Sequence, residues 1–306
     1  MPAGNNQTSE HKSYVLGIDF GSTTGKAVIL DQNGETLAAQ VSAKGAVSDE
    51  GVNAALAAAL DEAGITVDQI ARTVSTGYGR RMLDIADRSI TEITCHARGA
   101  VHLSPEARLV IDIGGQDSKV IAVDSNGLVS QFAMNDRCAG GTGKFLETLA
   151  KAVNVELDEM GPIALEAKED VQVSSMCATF AETEVIALLA EGKPKVEVLG
   201  GVHAAMAKRT QGLVARVGVR EPVIMTGGVS RNPAAVAHIE DAIGAKIAIP
   251  PMAQTAGALG AALFALDDLR EINAATAKAD DAIEDELMTA EIAMQACKPA
   301  CSGKLD

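Results

Sequence analysis

One pattern occurs twice in this chain and narrows its fold more than any other feature. Val15-Leu16-Gly17-Ile18-Asp19 is an apolar run ending on an aspartate. It is followed by the turn Gly21-Ser22-Thr23-Thr24-Gly25-Lys26 and a second apolar run, Ala27 to Leu30. Arg108 to Asp124 repeats the order: Leu109-Val110-Ile111-Asp112, then Gly114-Gly115-Gln116-Asp117-Ser118-Lys119, then Val120 to Val123. Short β-branched apolar runs around a Gly-rich polar turn read as buried hairpins. An internal repeat of this kind signals duplicated domains that face each other. Two Asp-bearing hairpins face to face would clamp a polyphosphate. Turn amides would contact phosphate oxygens, and the carboxylates would hold Mg²⁺ or its waters.

The first turn also resembles a P-loop, but it fails that template. Its first glycine is one residue too close, and Ala27 follows the lysine where a Ser or Thr should meet the metal. A strand, not a helix, is expected next, so the plain alternative is an ordinary polar hairpin turn.

A second feature is a pair of cysteines, Cys138 and Cys177, each ahead of an expected helix. After Thr142, Phe145, Leu146, Leu149 and Val153 fall at helical spacing; after Cys177, Thr179 and Glu182 fit a capping box. A thiolate at a helix N-terminus is favoured by the macrodipole and by free backbone N–H groups. Such a pair suits an anion or a metal; two buried structural cysteines are the alternative.

Composition excludes several classes. Aromatics are 2% of 306 residues, there is no Trp, and the net charge is −15, which disfavours nucleic acid as a partner. No run reaches the roughly 18 apolar residues of a membrane span, and the polar start lacks a signal-peptide core, so a cytoplasmic protein is expected. Five cysteines in a chain of this size do not form a disulfide framework.

The remaining expectations run in order. Residues 1–12 read as a disordered tail, Thr36 to Val41 as a strand, Gly51 to Gly64 as a helix and Ala71 to Ser75 as a strand leading into the glycine loop Thr76 to Arg81. Thr91 to Leu103 reads as a short strand plus a helix, with Cys95 as a core cysteine beside a hydrogen-bonded His96. Val196 to Val217 is a long helical segment with a break near Gly200-Gly201. Pro222 to Met225 is a buried strand ending in Thr226-Gly227-Gly228, whose glycines let backbone approach a flat ligand. Pro233 opens a helix, Ile247 to Ile249 is a short strand, and Gln254 to Leu263 is a small-residue helix able to pack tightly on a sheet. From about Arg270 an acidic, Ala-rich helix and a loose tail with Cys297 and Cys301 follow.

Taken together, GIDFGSTTGKAVIL, STGYGR, VIDIGGQDSKVI, NDRCAGGTGKFLE, SSMCATFAETEVI, MTGGVSRN and AQTAGALGAALFA resemble the activators of 2-hydroxyacyl-CoA dehydratases and the related ATPase subunits of ATP-dependent benzoyl-CoA reductases. The resemblance covers about residues 14–267. It implies an α/β, two-lobed actin-like ATPase fold of duplicated ribonuclease-H-like domains with an appended C-terminal helical tail. Lobe I would be residues 14–107 plus 250–270, lobe II 108–249, and the tail 271–306. The resemblance further implies an ATP-hydrolysing activator that passes low-potential electrons from ferredoxin or flavodoxin to a partner acyl-CoA reductase or dehydratase. Asp19, Asp112 and Gln116 would then be catalytic, positioning Mg²⁺ and the attacking water. Gly21, Ser22, Thr23, Lys26, Gly114, Gly115, Asp117, Gly141, Gly143, Gly227 and Gly228 would contact ATP. Cys138 and Cys177 would supply two ligands to a [4Fe–4S] cluster completed by a second copy or a paralogous subunit. A small-molecule kinase and a non-catalytic actin-like ATP switch are the alternatives.

Overall fold

The structure is a computed structural model that describes residues 14–42, 49–169, 171–174 and 177–296, with side chains as far as 279. The expected N-terminal tail and Cys297 and Cys301 lie outside the described residues. The chain divides into a compact unit ending at Leu266 and a second unit beginning at Asp267; the latter is helical as far as Ala296.

In chain order the first half holds β1 (Tyr14–Phe20), β2 (Gly25–Leu30), β3 (Thr36–Ser42), α1 (Glu50–Ala63), β4 (Ile70–Gly77), β5 (Arg88–Ser89) and α2 (Glu92–Leu103). The second half holds β6 (Leu109–Ile113), β7 (Ser118–Val123), β8 (Val129–Asn135), α3 (Gly143–Ala152), α4 (Leu157–Ala164), α5 (Ala178–Ala190), α6 (Lys195–Val217), β9 (Val223–Thr226), α7 (Pro233–Ile243), β10 (Ile247–Ala248) and α8 (Ala256–Ala296).

The strands form two sheets of identical topology. One runs β3-β2-β1-β4-β5 and the other β8-β7-β6-β9-β10. In each, the first three neighbours pair antiparallel and the last two pairs are parallel. The repeat thus extends from one hairpin to five strands. The central strands β1 and β6 are the near-continuous apolar runs, as expected for strands covered on both faces. α1 packs Val52, Ala55 and Ala59 on the first sheet, closed by Gly64 in the left-handed conformation. α3, α5, α6 and α7 bury one face of the second sheet with Phe145, Leu149, Val185, Val202 and Ile239.

Small residues set the closest approach. A Cβ on Gly99 of α2 would lie 1.9 Å from the Ala256 carbonyl, one on Gly260 of α8 1.8 Å from the Cys95 carbonyl, and one on Gly17 of β1 2.0 Å from the Ala258 carbonyl. The first turns of α8 therefore lie against both β1 and α2 at backbone contact, as their small residues lead one to expect.

Three local expectations are corrected, and two elements were not foreseen. No strand opens Thr91 to Leu103; Thr91 caps α2 directly, its hydroxyl accepting from the Thr94 amide at 3.4 Å, and the short strand β5 lies upstream. Helix α6 is unbroken at Gly200-Gly201, where Gly201 serves packing by making room for the Val171 carbonyl. Thr179 and Glu182 form no capping box, since Cys177 itself is the N-cap of α5. Strand β8 and helix α4 carry no sequence pattern that announces them.

Candidate active site

Strand pairing places each aspartate opposite its own lysine. Asp19 pairs with Lys26 across β1–β2, and Asp112 with Lys119 across β6–β7. The parallel neighbour then brings a left-handed glycine to each carboxylate. A Cβ on Gly77, the last residue of β4, would lie 2.5 Å from Asp19 Oδ1; one on Gly227, just after β9, would lie 3.0 Å from Asp112 Oδ1. Only glycine allows that approach at positive φ. The two turns meet at Thr23 and Gly115, where an added Cβ would fall 2.0 Å from the Thr23 hydroxyl oxygen. Between the hairpins lies a cavity of about 440 Å³.

The cavity floor is a buried charge network. Lys26 Nζ donates to Asp19 Oδ2 at 2.7 Å. Lys119 Nζ reaches Asp117 Oδ2 at 2.5 Å, Glu92 Oε1 at 3.0 Å and Asp112 Oδ2 at 3.2 Å, with its side chain only 1% exposed. His96 Nδ1 lies 3.2 Å from Asp112 Oδ1, which also accepts from the Thr226 hydroxyl at 2.8 Å. Burial alone would raise both aspartates; Lys26 and His96 hold Asp19 below the usual carboxylate range, and His96 and Lys119 hold Asp112 well below it. Burial would lower Lys119, but Asp112, Glu92 and Asp117 drive it well above the ordinary lysine range. Glu92 is pushed up, first by burial, against the pull of Lys119.

Asp19 Oδ1 is buried without a hydrogen-bond partner among the described residues. An orphaned carboxylate oxygen facing a cavity is what a hydrated cation would take up. Asp19, which lines the cavity, therefore has a carboxylate oxygen that fits a hydrated divalent cation.

The far wall comes from the loop after β9 and from α4. Gly227, Gly228, Val229, Arg231 and Asn232 line the cavity together with Glu156, Leu157 and Asp158. Asn232 also caps α7, its Oδ1 accepting from the Ala235 amide at 2.9 Å while its Nδ2 lies 3.0 Å from His203 Nε2.

Of the residues singled out from sequence, Asp19, Gly21, Ser22, Thr23, Lys26, Asp112, Gly114, Gly115, Asp117, Gly143, Gly227 and Gly228 line this cavity. Gln116 and Gly141 do not. The Gly114 amide closes the turn onto the Asp117 carbonyl at 3.0 Å, leaving Gln116 exposed at its tip. Gly141 sits at φ 79° against Arg209, its carbonyl accepting from the Ser118 hydroxyl at 2.8 Å. Sequence reasoning missed Glu92 and His96, which share the cavity face of α2 at i, i+4 spacing. That spacing was the available signal, and the adjacent pair Cys95-His96 masks it.

The cysteines separate by environment. Cys95 is buried, and its thiol is pushed up to about 12 chiefly by that burial. Cys177 is exposed, and the Phe180 and Thr179 amides at the start of α5 lower its thiol from the ordinary 9.0. Cys138 is half-buried in the loop between β8 and α3. No group of three or more His, Cys, Asp or Glu side chains among the described residues is placed to hold a metal. The described residues therefore offer an accessible pair of thiols and no complete set. That donor chemistry fits half of a four-thiolate cluster.

The model of the BadF/BadG/BcrA/BcrD ATPase family matches residues 16–265. The chain belongs to that family. It is 42% identical over 258 residues to the 2-hydroxyisocaproyl-CoA dehydratase activator of Clostridioides difficile, covering 84% of this chain and 97% of the relative. The solved structure of the Clostridium difficile activator of 2-hydroxyisocaproyl-CoA dehydratase with bound ADPNP superposes with a TM-score of 0.82 at 41% identity, covering 85% of this chain and 97% of that one. A benzoyl-CoA reductase polypeptide of Thauera aromatica is 36% identical over 211 residues, 67% of this chain and 74% of the relative. The fold is the actin-like ATPase fold shared with sugar kinases. The family match ends before the second unit.

Proposed function

We propose that this chain is an ATP-hydrolysing activator that delivers low-potential electrons to a partner acyl-CoA enzyme, a 2-hydroxyacyl-CoA dehydratase or a benzoyl-CoA reductase. The observation that carries the reading is the pair of mirrored Asp–Lys hairpins facing one cavity in a chain that also presents an activated, exposed thiol. The family relatives support it by their names.

ATP would lie with its phosphates between the turns Gly21–Lys26 and Gly114–Lys119 and its adenosine against Gly227, Gly228 and α4. Turn amides would hold phosphate oxygens, and Lys26 and Lys119 would offset their charge. Asp19 and Asp112 would hold Mg²⁺, which when bound neutralises phosphate charge. Their carboxylates would also orient the water that attacks the terminal phosphorus, breaking its bond to the bridging oxygen and releasing ADP and phosphate. Cys138 and Cys177 would bind one [4Fe–4S] cluster jointly with the same pair from a second copy or a paralogous subunit. Such a cluster, when bound, stores and passes a single electron, here from ferredoxin or flavodoxin. We take the lobes to be 14–107 plus 250–270 and 108–249, a division supported by one five-stranded sheet falling in each.

Anaerobically prepared protein is expected to hold about four iron atoms per two chains and to hydrolyse ATP. Iron should be lost in Cys138→Ser and in Cys177→Ser. A chain without iron that phosphorylates a small alcohol would be a kinase, and the reading would be wrong.

A further inference from the structure

We propose that the two cysteines sense the cavity unequally: Cys138 follows the second phosphate turn, and Cys177 is moored elsewhere. The proposal rests on the reading of the cavity as a nucleotide site and adds which ligand moves.

The first amides of a helix have no partner within it. In α3 they are spent on the second hairpin. Gly143 N donates to the Gly114 carbonyl at 2.9 Å, and Lys144 N donates to the Gly115 carbonyl at 2.8 Å. A third bond comes from Ser118 at the far end of the same turn, whose buried hydroxyl donates to the Gly141 carbonyl at 2.8 Å. Within the loop, Asn135 Nδ2 donates to the Cys138 carbonyl at 2.8 Å, and Asn135 is the strand partner of Ser118. Gly114, Gly115 and Gly143 line the cavity themselves. A phosphate that shifts the turn between Gly114 and Ser118 must carry the Cys138 loop with it or break these bonds.

The segment before Cys177 is bonded to α5, the helix that Cys177 starts, and to α6, with no hydrogen bond to the second turn among the described residues. Ser174 N and Oγ both donate to Glu184 Oε1 of α5, at 2.8 and 2.7 Å. Val171 N donates to the Glu197 carbonyl at 3.2 Å, and its own carbonyl rests on Gly201 of α6. The amides at the start of α5 serve Cys177 itself, where those of α3 serve the hairpin. Ser118 is on this account a positioning residue: it is not among the residues that line the cavity, and its hydroxyl fixes the loop that carries one ligand.

Amide hydrogen exchange on the full chain, with and without Mg²⁺ and ADPNP, tests this. ADPNP should change exchange over residues 138–145 by about 5-fold and over 177–184 by less than about twofold. Ser118→Ala should shrink the response at 138–145 while the ADPNP Kd stays within about threefold of wild type. An equal response in both segments, a response confined to 177–184, or a wild-type response in Ser118→Ala would each overturn the proposal. If Ser118→Ala does not fold, the two-segment comparison in the wild-type chain still decides. Failure of the chain to bind ADPNP at all would overturn the nucleotide-site reading instead, and this inference with it.

Discussion

At the scale of single residues, burial decides what each titratable group can do. Lys119 is enclosed with Glu92, Asp112 and Asp117, and removing it would leave three carboxylates in one pocket. Breaking a buried network by deleting one partner costs roughly 3–5 kcal/mol. Lys119→Met should therefore lower Tm by roughly 10 °C in thermal unfolding. The sign of its pH dependence follows from Glu92, already raised above 4.5 with Lys119 present. A carboxyl raised in the folded state destabilises it once pH exceeds the unfolded value. The deficit of Lys119→Met should thus be larger at pH 8 than at pH 5, and a pH-independent deficit would contradict the network. A second contrast is Cys177 against Cys95. In metal-free, nucleotide-free chain, iodoacetamide should modify Cys177 with a rate midpoint below 9.0 and leave Cys95 unmodified until the protein unfolds. Equal labelling of the two in folded protein would refute that assignment. Asp19, Asp112 and the turn glycines were legible because strand pairing with a lysine is local in sequence. Glu92 and His96 were not, because their partners sit on β6 and β7, beyond the end of the helix that carries them.

At the scale of elements, what could be read depended on periodicity. β1 and β6 are covered on both faces and so appear as unbroken apolar runs. β8 buries only Ala133 and exposes Phe132, so neither a continuous nor an alternating pattern marks it. α4 is eight residues with Gly161-Pro162 inside, a pair that reads as a turn. Here the glycine serves packing, since a Cβ on Gly161 would meet Asn232 Oδ1 at 2.6 Å. The same distinction yields a prediction for helical glycines. Gly260 faces the Cys95 carbonyl, and Gly260→Ala must part α8 from α2. It should cost at least about 2 kcal/mol as an overpacking change. Gly212 of α6 has nothing within 4 Å of an added Cβ and is exposed. Gly212→Ala should stabilise by about 0.5–1 kcal/mol, since it only removes backbone freedom. Urea unfolding of both variants checks the pair, and opposite signs are required.

At the scale of the molecule, duplication accounts for the cavity and incompleteness accounts for the thiols. Two sheets of the same strand order bring two carboxylates and two lysines to one place, which needs no second chain. The cysteines have no such internal counterpart: both follow β8, in the second half only. The proposed cluster would therefore need a partner surface, and the start of α5 is where we propose it. This helix starts at Cys177 and exposes Phe180 at 69% and Ile186 at 50%, six residues apart along the helix. On the proposed reading, Phe180, within one turn of Cys177, would lie in that contact. Anaerobic gel filtration with iron analysis should then show iron only in the dimer fraction. Phe180→Glu places a carboxylate beside the shared site, so it should shift the chain toward monomer and lower iron in proportion. Cys177→Ser should behave differently from a half-site defect. Each chain would give two of four thiolates, so a dimer of the variant keeps only the two Cys138 thiols and its iron should fall to near zero. Iron retained by a monomer would mean that one chain completes the site alone, and half the iron retained in Cys177→Ser would mean that Cys177 is not a required ligand.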